Sequence, residues 1–147
     1  MSLTGSLYST TDDKLKSLIK NDFDSIESLT EIADLSYFAI NLLEILSKYS
    51  NLNNDLVGKI LQGNNSFSPE DGFIGFSKSS EVKRNKIEIL DKITSKNFIE
   101  YLKKGGIENN PNTPIKDRDF LIQYFENIKK AYEKAVSENM ALIFRLG

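Results

Sequence analysis

Apolar positions along this chain follow two rhythms. From Leu3 to Ser9 they alternate, with Leu3, Gly5, Leu7 and Ser9 on one side, which predicts a short first strand. Thr10, Thr11 and Asp12 then offer N-cap oxygens to a helix whose apolar face is Leu15, Leu18 and Ile19. Asp22 or Asp24 opens a second short helix carrying Phe23, Ile26, Leu29 and Ile32. Asp34 caps a stronger one, where Leu35, Phe38, Leu42, Ile45, Leu46 and Tyr49 recur at helical spacing. Ile40 and Leu43 widen that stripe, so this helix is expected at the centre of the core.

Asn51, Asn53, Asn54 and Asp55 form a turn that caps a short helix through Val57, Ile60 and Leu61, ended by Gly63-Asn64-Asn65. Ser68 to Gly72 is a second turn cluster. Phe73-Ile74-Gly75-Phe76-Ser77 is apolar on both sides and predicts a strand inside a sheet. Ser79 or Ser80 caps a helix with Val82, Ile89, Leu90 and Ile93 on one face. Ser95 caps another with Phe98, Ile99 and Leu102, stopped by Lys103-Lys104-Gly105-Gly106. Residues 105–114 read as a mobile loop. Asp117 or Asp119 caps the longest helix, with Leu121, Tyr124, Phe125, Ile128, Tyr132, Ala135 and Val136 as its stripe and Asn139 as its end. Ala141 to Leu146 is a closing strand rich in β formers.

About seven helices interleaved with at least three strands predict one α/β domain over residues 1–147, a small mixed sheet flanked by helices. The first, middle and last strands are expected to be neighbours, with parallel pairing open to them across long helical connections.

Composition narrows the chemistry. The 147 residues contain no Cys, His or Trp, which removes disulfides, thiol nucleophiles, His-based proton transfer and ordinary zinc sites. A net charge of -2 and a pI near 5.3 argue against a nucleic-acid binder. The basic run Lys83-Arg84-Asn85-Lys86 reads as a solvated helix face. No apolar stretch is long enough to cross a bilayer, and no signal peptide is expected, so a soluble cytosolic protein is the expectation. No cofactor and no metal are expected.

Three segments carry a resemblance in their order and spacing. They are Leu3 to Tyr8 leading into a capped helix; Ile60 to Asn65, then Asp71 to Phe76, then a helix; and Ile128 to Tyr132 in a long helix that leads to Asn139 through Phe144. Over nearly the whole chain this order resembles the YfbM-like family, a bacterial domain family of unknown function. The resemblance implies a single-domain three-layer helix/sheet/helix sandwich and no established activity. It also implies a Trp and a His four positions apart in the helix matching residues 34–49, where this chain has Tyr37 and Asn41. Asn keeps hydrogen-bonding capacity but cannot shuttle a proton near pH 7.

Tyr37 and Asn41 are therefore candidates for a ligand or partner surface, against the plainer reading of a buried, satisfied Asn beside a packed Tyr. Asn64, Asn65, Glu70 and Asp71 crowd a Gly-flanked loop, read either as a recognition or weak cation loop or as ordinary turn chemistry. Asp22 with Asp24 and Asp117 with Asp119 are read as helix-start charges. Gly72-Phe73-Ile74-Gly75 lacks the Lys and hydroxyl of a phosphate loop, and Gly75 suits a close approach of helix to strand. The residue set is poor for catalysis. The first expectation is a non-enzymatic binding protein, in its concrete form an immunity-type protein masking a basic toxin. The alternatives are a small-ligand binder or enzyme with a carboxylate, Asn and Tyr-lined site, and a structural homo-oligomer.

Overall fold

The computed structural model describes residues 4–68, 72–106 and 115–147, with only the backbone of 115–117. Among these residues five strands form one open sheet: β1 Gly5–Thr10, β2 Thr30–Ser36, β3 Asn65–Phe67, β4 Phe73–Ser77 and β5 Ala141–Leu146. Their order is β2-β1-β5-β4-β3, and every pairing is antiparallel. The three expected strands are thus neighbours, with the last between the first and the middle one. Their pairing is antiparallel, however, and the sheet is not mixed.

Among the described residues six α-helices surround it: α1 Asp12–Lys20, α2 Ala39–Tyr49, α3 Asn54–Gln62, α4 Ser79–Glu88, α5 Ser95–Lys104 and α6 Ile115–Ser137. Consecutive strand residues face opposite ways, and β5 uses both sides. Leu142 and Phe144 enter the larger core with residues of α2 to α6, while Ala141 and Ile143 enter a smaller one with Leu15 and Leu18 of α1. Leu7 and Tyr8 of β1 divide in the same way. The result is a three-layer α/β domain with one thin helical layer and one thick one. None of the helices among the described residues is long and apolar enough to cross a membrane.

Two expectations fail between Asp22 and Phe38. The expected second helix is only a single 3-10 turn, Ile26–Ser28, and neither Asp22 nor Asp24 starts an α-helix. Ile32, Asp34 and Leu35 belong to β2, so Asp34 caps no helix; its Oδ1 accepts from the backbone N–H of Ser36 at 2.8 Å. α2 begins four residues later than its stripe suggests. β2 pairs with β1 through two irregularities that leave Ile32 and Leu35 without partners in the register. Ile32, Ala33 and Leu35 therefore all pack against the larger core, a spacing that imitates a helix.

Elsewhere the expected helix starts hold in part: α4 and α5 begin one residue early, with Lys78 and Thr94 at their N-caps in place of Ser79 or Ser80 and Ser95, and α6 runs from Ile115, so Asp117 and Asp119 lie inside it. The Thr11 side chain accepts from Lys14 N–H, Asn53 from Asp55 N–H and Thr94 from Asn97 N–H, each closing a helix N-terminus. Asn139 takes φ +56° and ends α6. Gly75 is where α3 touches the sheet: a Cβ there would lie 1.8 Å from the carbonyl oxygen of Gln62.

Candidate functional site

The sequence candidates separate in space. Tyr37 lies in the turn before α2 and is 60% exposed, and Asn41 is exposed in the first turn of that helix. They do not share one turn of helix, and Asn41 is not the buried Asn of the plainer reading. Asn65 is exposed in β3, opposite Phe76. Glu70 and Asp71 lie outside the described residues, as does most of the loop expected over 105–114.

Asn64 is tied into the interior. Its Oδ1 accepts from the Ser77 hydroxyl at 2.7 Å and from Asn85 Nδ2 at 2.8 Å, and its backbone N–H donates to Phe76 O at 3.1 Å. The Asn85 side chain also bonds the hydroxyl of Tyr132, which donates to Ile60 O at 2.6 Å. One polar chain thus joins α3, β4, α4 and α6. Burial raises the Tyr132 phenol well above the ordinary tyrosine range, and the bond from Asn85 only partly opposes it. Asn85 is 3% exposed, in the middle of a run read as solvated. The signal was available: Val82, Asn85 and Ile89 stand at helical spacing on one face.

Among the described residues a shallow concavity of about 180 Å³ lies beside Glu44, Lys48 and Tyr49, and two others are likewise lined by none of Tyr37, Asn41, Asn64 or Asn65. One is an apolar pit of about 220 Å³ between α2, α3, β4 and β5, with Leu43, Leu61, Phe73 and Phe144 among its walls. The other is an open groove of about 610 Å³ between the edge strand β2 and helix α6. Glu31, Ile32, Ala33 and Asp34 line one wall, and Tyr124, Asn127 and Lys130 the other.

The groove continues into an aromatic cluster. Phe38, just before α2, stacks on Tyr124 with centroids 5.5 Å apart, and Phe120 lies 6.0 Å from Phe38 and 6.2 Å from Tyr124. Phe120 and Ile40 are each 44% exposed. Tyr37 precedes Phe38 in the chain, so the most exposed sequence candidate adjoins this patch. Glu31, Asp34 and Lys130 are exposed, and among the described residues none of them is ion-paired. Sequence reasoning missed the groove because it placed Glu31 in a short second helix running to Ile32 and Asp34 at the cap of the next one. Without β2, nothing brought either residue to α6.

In comparisons with known proteins, residues 1–145 match a family described as a domain of unknown function, DUF1877. No curated protein matches the chain. Among solved structures, the chain is similar to YfbM, a protein of unknown function from Escherichia coli. The match covers 98% of this chain and 99% of that one, with a TM-score of 0.70 and 15% identity. At that identity the likeness is one of fold.

Proposed function

This chain belongs to the DUF1877 family, and from that premise we propose that it is a non-enzymatic binding protein of the bacterial cytosol. Its contact surface is the groove between β2 and α6 together with the aromatic patch beside it. The observation that carries this reading is the half-buried Phe38–Tyr124 pair capped by exposed Phe120, next to Glu31 and Asp34, which are unpaired among the described residues. Aromatic anchors rimmed by charge are the composition of protein interfaces. The acidic wall and the net charge of -2 favour a basic partner, and an immunity-type role, masking a basic toxin, is the concrete form of this reading.

A second reading has support in the same groove, whose Glu31, Asp34, Asn127 and Tyr124 make a carboxylate, amide and phenol-lined site for a small ligand. Its breadth and its exposed charges favour the first reading, because catalysis gains most where water is excluded.

Affinity capture from native lysate separates them. The wild type is expected to recover a basic protein, and Phe120→Ser with Tyr124→Ser is expected to lose it. Recovery of no protein at stringencies that keep micromolar complexes contradicts the binding-protein reading.

A further inference from the structure

We propose, resting on the binding-face reading above, that the partner enters the β2–α6 groove as an extended segment bearing Lys or Arg, its main chain along the free edge of β2. The shape of the groove is the first argument. Its strand wall is four consecutive residues, Glu31 to Asp34. Ile32 and Ala33 both turn to the larger core while Glu31 and Asp34 are exposed, so a hollow touching all four runs along the strand's edge. The helical wall is Tyr124, Asn127 and Lys130, three apart on one stripe of α6. The walls match in length: the strand runs about 10 Å from 31 to 34 and α6 rises about 9 Å from 124 to 130.

The topology is the second argument. Among the described residues β2 has β1 as its one neighbour in the sheet, so its other side presents main-chain donors and acceptors to an incoming strand. The opposite edge, β3, is only three residues long, a length that blunts pairing.

Charge selects the occupant. Among the described residues, Glu31 and Asp34 set two unpaired negative charges on the strand wall against the single Lys130 of the helical wall, a net negative groove that favours a Lys or Arg in the incoming segment. A second copy of this chain is a poor fit. Two-fold pairing of β2 with itself would set these carboxylates against their own copies.

Selection of eight-residue peptides from a display library, on the intact chain, tests this. The wild type is expected to enrich Lys- or Arg-bearing, β-prone peptides. Glu31→Lys with Asp34→Lys, both at exposed positions, is expected to enrich Asp- or Glu-bearing ones and to bind the wild-type peptides about tenfold more weakly. N-methylation of alternate peptide amides is expected to weaken binding about tenfold or more. Binding indifferent to charge reversal or to N-methylation overturns the proposal, and so does failure to enrich any peptide. Peptides that tolerate charge reversal but are lost with Phe120→Ser and Tyr124→Ser overturn the strand mode alone and leave the binding face standing. Peptides indifferent to both variants overturn both readings. A wild-type dimer dissolved by Ile32→Pro assigns the edge to a second copy and also overturns the proposal.

Discussion

The carboxylate of Asp12 accepts two hydrogen bonds from Ser79, from its backbone N–H at 2.9 Å and from its hydroxyl at 2.5 Å. Asp12 is the first residue of α1 and Ser79 the first of α4. One negative charge therefore serves the N-termini of two helices that follow different strands.

Loss of that bond is expected to cost about 1 kcal/mol at pH 7, the usual worth of a helix cap. The two bonds from Ser79 hold the Asp12 carboxyl below its ordinary value of 3.8. A carboxylate depressed in the folded state stabilises above its unfolded value, and that stabilisation is lost as pH falls through the folded one. The gap between wild type and Asp12→Asn in urea unfolding should be full at pH 7 and shrink below pH 3.8. An equal gap at pH 7 and pH 3 would show that charge plays no part.

Tyr132 carries the opposite pH signature. Its phenol is raised by burial, so the folded state favours the protonated form; that stability is complete below the ordinary value of 10.0 and drains away above it. Ultraviolet titration of the six tyrosines should show a late component that Tyr132→Phe removes. The same substitution leaves the carbonyl of Ile60 without its 2.6 Å donor and is expected to cost about 1–3 kcal/mol. Titration of every tyrosine in one step near 10.0 would contradict the assignment.

Two glycines in neighbouring elements should respond with opposite signs. Gly75→Ala sets a methyl group against the Gln62 backbone and is expected to cost about 3 kcal/mol or more. Gly58→Ala lies inside α3, where a Cβ meets only the tip of the Gln62 side chain at 3.2 Å. It is expected to stabilise by about 0.5–1 kcal/mol. Melting temperatures of the two variants read the contrast, and equal destabilisation would refute it.

On the proposed contact face, stability and binding should part company. Phe120→Ser is expected to change stability by about 1 kcal/mol or less, because its ring is already 44% exposed. If Phe120 anchors the partner, the same change should weaken binding by about 2 kcal/mol or more. Thermal melts set beside a binding titration measure both, and unaltered affinity would remove Phe120 from the face.

What could be read from the sequence follows the regularity of each element. β5 and β4 were legible because dense apolar runs between turn signals have few other homes. α3, α5 and α6 were legible from their stripes, while of their expected N-caps only the Asn-rich start of α3 stands where it was read. β2 was not, because its irregular pairing turns Ile32, Ala33 and Leu35 toward one core and so erases strand alternation. That one error hid the edge strand, and with it the groove. Resemblance to the YfbM-like family brought out Tyr37 and Asn41 and agreed with the fold. It did not point to Glu31, Asp34 or Tyr124, whose proximity depends on how β2 lies against α6. Asn85 was legible in principle, but its charged neighbours Lys83, Arg84 and Lys86 masked its place on the apolar face.

Hydrogen exchange of the intact chain, with and without its captured partner, tests the central claim most directly. Slowed exchange is predicted across Thr30–Ser36 and over residues 120–130, with α5 and β3 unchanged. Protection confined to the apolar pit around Leu43, Phe73 and Phe144, with β2 exchanging as before, would contradict it.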